Sequence, residues 1–506
     1  MLRRNLSLAL LASGSAAALM AKEVEAQACT APCYAQTPQE ATAGITPTNT
    51  AYLPGDVRRY GADPTGGSSS TVALQNAIKT GYSLYFCDGN FMVGSALSPK
   101  SNTTWWGTGT LTSGAFSGPI VAITSGTTKF VFEINTDMSN NTAPVRYMMA
   151  VDGSTYITIQ NGYHTKGAIE VAPSLGCQYV KIRGNTFYQA VLGSSTTQAV
   201  IYVNTQTTDF EIVDNEIVGS PQTGTGIAVF NSALRGVISG NRCTGCTGSG
   251  IWIDSGQYIV ISNNICYKNL QSGIGLNTSN ANANGWASFC SVTGNICAGN
   301  TFDGIDYNVS GTSQSQFAAF STISSNVLSG NGGSGSGGTG MYLSGVDEVT
   351  VSGNTAVGNY EQGIFLNSAY YCTVTGNGVV SNGSGVTGEP PSGIAVHGSY
   401  NTITGNTSTN NDGAANQQYG IYEPAGYNYN CISGNNLNNN SSGGLLVNGA
   451  NTNAQANQPA NVEKLFYADI VSSYTTPSTS LPAGSLWLNP SAGRLYVLQG
   501  GAWTVK

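Results

Sequence analysis

At 506 residues the chain exceeds what one ordinary hydrophobic core supports, so it is either several globular domains or an elongated repeat. Only 8% of residues are charged, while 66 Gly call for many tight turns, and a 40% hydrophobic content in regular alternation excludes disorder. A formal charge of -7, with 18 Lys and Arg spread thinly, leaves no basic stripe to neutralise phosphates and excludes nucleic acid as a partner.

The N-terminus reads as an export signal over residues 1–28. Arg3 and Arg4 form its charged region, Leu6 to Met20 its short apolar region, and Ala26-Gln27-Ala28 a small-x-small cleavage site. The apolar run is too short for a membrane span, and no other run of 18 apolar residues occurs. The Arg-Arg-x-Leu order leaves Sec and twin-arginine export both open. A secreted, periplasmic or cell-surface protein is expected. Residues 29–55 read as a linker, in which Cys29 and Cys33 suit a small disulfide; the 11 Cys cannot all pair within one chain.

A strand and turn over Asp56 to Gly66 lead into Ser70-Thr71-Val72-Ala73-Leu74-Gln75-Asn76-Ala77-Ile78, predicted as a Ser/Thr-capped amphipathic helix. Downstream a turn asparagine recurs at Asn185, Asn215, Asn241, Asn264, Asn295, Asn326, Asn354, Asn377, Asn406 and Asn435, at intervals of 23 to 31 residues. Three residues before each stands a β-branched residue, from Ile182, Ile212, Ile238 and Ile261 through Ile323 to Ile432. Such a period means that each unit buries its apolar face only by stacking on its neighbours. The β-branched residues are expected to point inward, with the asparagines at the bend, tolerating left-handed backbone and bonding to one another in a ladder.

A second strand opens on Gly before alternating apolar positions, as in Gly226-Ile227, Gly250-Ile251, Gly304-Ile305 and Gly393-Ile394. A third, less regular strand or loop is expected to fill the remainder, with insertions around Gly332 to Gly338 and Gly383 to Pro391. Cys243, Cys266 and Cys297 share one inward column and Cys290 and Cys372 another, so they read as small core hydrophobes. The competing Zn reading of Cys243-x-x-Cys246 lacks a second CxxC or paired His nearby. No metal or cofactor is expected.

The turn Tyr60-Gly61-Ala62-Asp63-Pro64-Thr65-Gly66, the helix after it and the Gly-Asn ladder resemble the pectate-lyase-like superfamily, with a rhamnogalacturonase- or epimerase-like N-terminal cap, over approximately residues 56 to 450. The resemblance implies an all-β chain: a right-handed parallel β-helix (solenoid) of about ten coils, each of roughly 28 residues, with a short N-terminal capping helix. It also implies a polysaccharide or other glycan as partner, held in a groove along the outer face. From residue 451 to 506 a linker precedes Leu481 to Asn489 and Gly493 to Val497. These read as a small C-terminal β-hairpin module resembling tail-fibre segments, with capping, trimerisation (a homotrimer) or adhesion as its role.

Two outward columns of the Gly-Ile strands hold the candidate site. The first carries Trp252, Asp306, Tyr342, Phe365 and Tyr422, and the second Asp254, Asn277, Asn308, Asn367 and His397. Aromatic faces suit sugar rings, and carboxylates and amides suit their hydroxyls; the alternative is that the aromatics pack on one another. Asp254 and Asp306 stand two strands and two residues apart, about 12 Å, wide for an inverting carboxylate pair at roughly 6.5 to 9.5 Å. Asp303, at the turn before Gly304, is a third carboxylate. His397, one of two His and read as near Glu423, is a candidate general base for a lyase or epimerase.

The chain departs from active members of the superfamily. It lacks the Asn-Thr-Asp, Asp-Asp and Gly-His-Gly set, Asp-Pro-His-Asp and Arg-x-Pro-x-x-Arg, and Ser255 stands where Trp252-Ile253-Asp254 would be followed by His. Two classes of function are therefore carried: a polysaccharide lyase, hydrolase or epimerase with Asp254, Asp306, Asp303 or His397 as acid and base, and a non-catalytic glycan-binding or adhesin-like β-helix.

Overall fold

The computed structural model describes residues 34–193, 198–278, 287–309, 320–411 and 416–458, with four strands near the C-terminus. The expected signal, its cleavage site, Cys29 and Cys33 lie outside the described residues. The chain winds into a right-handed parallel β-helix of about 13 turns. Each turn of the repeat has three strands, for example Val260–Ser262, Ile265–Tyr267 and Ile274–Thr278. The third strand of each turn is the Gly-Ile strand. These strands form one parallel thirteen-stranded sheet, from Val121–Ile123 to Gly443–Val447. Three turns with third strands Val121–Ile123, Tyr147–Val151 and Ala168–Val171 extend the asparagine-marked coils at the N-terminal end. At about 4.8 Å per strand the sheet is about 58 Å long.

The register follows the sequence period. Ile182, Ile212, Ile238 and Ile261 pair in succession, and all the β-branched residues of this column, to Ile432, are at most 1% exposed. Cys243, Cys266 and Cys297 also pair in register and are buried. From Asn185 to Asn406 the strand after each asparagine, expected to be irregular, is a regular three-residue strand, while Asn435 is followed by the single bridging residue Asn436. What varies is the length of the connections on either side of the Gly-Ile strand.

One expectation about the bend is corrected. The left-handed backbone belongs not to the ladder asparagine but to the residue before it: Gly184, Asp214, Gly240, Asn263, Gly294, Ser325, Gly353, Gly376, Gly405 and Gly434 all have φ between 54° and 68°. Glycine predominates there because it has no Cβ to clash. The asparagine side chain turns inward instead. Asn264 Nδ2 donates to Ile238 O and to Asn295 Oδ1, both at 2.9 Å, while its Oδ1 accepts from the Asn241 backbone at 2.9 Å. The ladder runs from Asn185 to Asn457. His164 caps it, with Nε2 3.3 Å from Asn185 Oδ1 and Nδ1 3.0 Å from Thr136 Oγ1.

A second ladder begins where Cys246 N donates to Asn269 Oδ1 and runs through Asn300, Asn331, Asn359 and Asn382. Gln417 and then Asn440 complete it. At the remaining corner most of the left-handed residues are aromatic and exposed, with Asp209, Arg235 and Glu348 between them: Tyr258, Phe289 and Phe320 stack, as do Tyr371, Tyr400 and Tyr429. Their ring faces cover one another, which leaves the edges to solvent.

The N-terminal end is shielded by helix α1 (Pro38–Thr42) and helix α2 (Thr71–Thr80). The expected Ser70 cap of α2 is not made: Ser70 Oγ instead accepts from the Asp63 backbone at 2.9 Å. Arg59 is fully buried and donates to both oxygens of Glu40, at 2.6 and 2.9 Å. Burial raises the Glu40 carboxyl, but bonds from Arg59, the Thr37 backbone and Tyr60 prevail and hold it at about 2. Near the C-terminus Leu486–Asn489, Arg494–Gln499 and Ala502–Val505 form an antiparallel meander, with Ile470–Ser472 parallel to the first.

Candidate functional site

The outward columns of the thirteen-stranded sheet fall where strand alternation puts them. Trp252, Gly275, Asp306, Tyr342, Phe365, Ala395 and Tyr422 pair in succession, as do Asp254, Asn277, Asn308, Ser344, Asn367 and His397. No Lys or Arg stands among these residues. Asp254 and Asp306 are carboxylates of these two columns, and Glu170 stands further toward the N-terminus in the first.

The structure does not bring Asp254 and Asp306 together. They stay two strands and two residues apart, with Gly275 between Trp252 and Asp306 in one column. The indole of Trp252 lies across Gly275, where a Cβ would stand 2.4 Å from its Cε3. Asp306, half-buried, therefore stands between the strand of Gly275 that this ring covers and the strand of Tyr342. Its Oδ1 is shielded from solvent and bonded to nothing, and so is Asn277 Oδ1 on the neighbouring strand. Burial, aided by repulsion from Asp303, pushes the Asp306 carboxyl up to about 8. Asp303 itself rises to about 6 through burial, although its Oδ1 accepts from the Thr339 backbone at 2.7 Å and hydroxyl at 2.8 Å; Glu361 adds repulsion. Asp254 is 7% exposed and accepts from Ser255 Oγ at 3.0 Å.

Three strands further on, the aromatics pack on one another. Phe365 meets Tyr342 edge to face at 5.5 Å and the His397 imidazole at 4.8 Å, and His397 also lies 5.9 Å from Tyr422 and 5.5 Å from Tyr427. Asn367 Nδ2 donates to Tyr342 Oη at 2.6 Å. The acid beside His397 is not Glu423, as the sequence order suggested. Glu423 points into the coil, fully buried, accepting from Asn430 at 2.9 Å and Thr452 at 2.7 Å, and burial lifts it to about 7. The partner is Glu389, whose Oε2 lies 3.0 Å from His397 Nε2 and whose Oε1 accepts from Gln362. Sequence reading missed Glu389 and Tyr427. The only signal for Glu389 was its place in the insertion from Gly383 to Pro391.

Two family profiles match the chain, each over about a third of its length: "Right handed beta helix region" at residues 149–318 and "Periplasmic copper-binding protein (NosD)" at residues 284–442. Among the described residues no group of three or more His, Cys, Asp or Glu is placed to hold a metal ion. The Cys243, Cys246 and Cys266 thiols are buried and held well above the usual thiol range, by their bonding to neighbouring thiols and by burial. No curated protein matches the chain. Among solved structures, pre-mature gene product 12 of bacteriophage phi29 is 16% identical, covering 84% of this chain and 60% of its own, with a TM-score of 0.52. The A-module of the mannuronan C-5 epimerase AlgE4 of Azotobacter vinelandii is 16% identical (79% and 99% covered, TM-score 0.45). PfbA, a surface adhesin of Streptococcus pneumoniae, is 13% identical (89% and 97% covered, TM-score 0.42). At such identities the likeness is one of fold, and with the register above it identifies the chain as a right-handed parallel β-helix.

Proposed function

We propose that this chain is exported and binds a polysaccharide along the outer face of its thirteen-stranded sheet, between Trp252 and Tyr422. Export rests on the segment from Arg3 to Ala28; among the described residues no helix is long and apolar enough to cross a membrane. One observation carries the groove: Asn277 Oδ1 and Asp306 Oδ1, both enclosed and both unbonded, stand on neighbouring strands beside the Trp252 ring. An unmet buried acceptor costs about 1–3 kcal/mol, which a ligand's hydrogen-bond donors relieve. A sugar has such donors around an apolar ring face that suits the indole. The test is titration of the purified protein with neutral, uronic-acid and amino polysaccharides. Trp252→Ala is expected to weaken binding at least about fivefold, the scale of an aromatic anchor; unchanged affinity removes the groove from this face.

A second reading, cleavage of the bound chain, is favoured by one observation: the Asp306 carboxyl, lifted to about 8, stays protonated at neutral pH as a general acid must. Against it, Asp254 is two strands away and Asp303 is held by Thr339, so no second carboxylate stands free opposite Asp306. New reducing ends that disappear in Asp306→Asn establish cleavage. Binding without them leaves the chain a glycan-binding β-helix.

A further inference from the structure

The groove is one-sided in charge. Its outward columns carry Glu170, Asp254 and Asp306, Asp303 lies close enough to repel Asp306, and Glu389 reaches the face at His397. Neither Lys nor Arg interrupts the two columns from Trp252 to Tyr422 and from Asp254 to His397. A uronic-acid polymer laid along this face meets these acidic groups with no Lys or Arg in either column to neutralise its carboxylates.

Asp306 sharpens the point. A carboxyl oxygen removed from water ordinarily has a cation or several donors beside it. Here Oδ1 has neither; the Trp252 indole lies across Gly275 on one neighbouring strand, and Tyr342 stands on the other. A half-buried carboxyl next to an indole suits an ammonium group, through an ion pair to the carboxylate and cation–π attraction to the ring. Asn277 Oδ1, the other unmet acceptor, takes a second N–H or O–H of the same ligand.

We propose that the groove takes a glycan bearing free amino groups, a de-N-acetylated hexosamine polymer, with one ammonium seated on Asp306 between Trp252 and Tyr342. This rests on the glycan groove proposed above and names its substrate class. When the ammonium arrives the carboxyl ionises, so its proton leaves to buffer, and the charge left on Asp306 is met by the ligand. Asp303, with Glu361 behind it, is the charged neighbour that also gains from the arriving cation.

The experiment is calorimetric titration of the full chain with glucosamine oligosaccharides, their fully N-acetylated counterparts and oligogalacturonate. It is run at pH 6 in two buffers of different ionisation enthalpy. The expected result is at least about tenfold tighter binding of the free-amine ligand than of the acetylated one, no binding of oligogalacturonate, and release of about one proton per ammonium seated. Asp306→Asn should abolish both the amine preference and the proton release. Because proton release is read on the wild-type protein, the test stands even where the variant fails to fold. Equal or better binding of the acetylated ligand, binding of oligogalacturonate, or amine binding without proton release overturns the amino-glycan assignment and leaves the groove standing. Failure of every glycan to bind overturns the groove and this assignment together.

Discussion

Trp252 lies flat across Gly275 because no side chain stands there: a Cβ would be 2.4 Å from Cε3 and 2.7 Å from Cζ3 of the indole. Gly275→Ala should therefore push the ring away from Asp306, at an overpacking cost of about 1–3 kcal/mol. Its glycan affinity should fall as far as that of Trp252→Ala. Measured by titration, a Gly275→Ala protein that binds as wild type contradicts the placement of the indole.

Stability should fall between pH 6.5 and 8. Asp306, at about 8, and Glu423, at about 7, hold protons in the folded state that the unfolded chain releases near 4. Their contribution is complete below the unfolded value and is lost as pH rises through 7 and 8. Its upper scale is about 1.4 kcal/mol for each pH unit that separates the folded from the unfolded value. His164, lowered to about 4 by burial, acts in the opposite sense, losing its contribution as pH falls from 6.5 towards 4. Urea midpoints at pH 6.5 and 8 should separate for wild type and draw together in Asp306→Asn with Glu423→Gln. A flat wild-type profile rules this out.

Asn264 exchanges hydrogen bonds with Asn241, Asn295 and Ile238 inside the stack. Asn264→Ala leaves several of these groups unpaired at about 1–3 kcal/mol each. Asn264→Asp keeps the shape but loses the donor and places a carboxylate oxygen against Asn295 Oδ1. Both should lower the denaturation midpoint, and at neutral pH the aspartate variant should be no better than the alanine one. A neutral effect in either would show that the ladder contributes little.

The repeat itself was legible because β-branched residues and asparagines recur with a fixed offset, and parallel in-register stacking turns sequence offset directly into spatial column. The second ladder was equally written, five residues after Asn264, Asn295, Asn326, Asn354 and Asn377, yet it was not read. The role of glycine in Gly-Asn was assigned to the wrong neighbour, because which of two adjacent residues takes the left-handed backbone is decided by the fold of the bend. The outward columns came out in place, since alternation fixes them. What surrounds each of their residues did not: the pairing of His397 with Glu389 depends on an insertion that bends back onto the sheet and leaves no periodic trace. The inward turn of Glu423 was legible, since alternation with Tyr422 outward places it beside Val447 in the inward column.

Glu40 and Arg59 are both completely buried, so removing one strands the other. Glu40→Gln should destabilise the N-terminal end by about 3–5 kcal/mol, the usual cost of an uncompensated buried charge. Limited proteolysis should then cut first between residues 34 and 60. Cleavage sites unchanged from wild type would mean that the end is held by other contacts.

Cys243, Cys246 and Cys266 should resist alkylation in the native protein and react fully once it is unfolded, since they are buried and held as thiols. Mass spectrometry after a thiol reagent decides it. Rapid native labelling of these three would place them outside the core.

From Asn264 to Asn382 the two ladders of side-chain amides grip the short strand between them from both ends, and in each of these five repeats it is three residues long, whereas the connections elsewhere range from tight turns to the insertion that carries Glu389. The coil thus separates a fixed spine from a free rim. Segments can be lengthened, shortened or exchanged on the rim without disturbing the stacking rule, and whole coils can be duplicated, since each presents the same edge above and below. A chain built this way can change what its rim touches while its spine keeps one stacking rule, so a likeness of fold at 16% identity to a phage protein carries no likeness of rim.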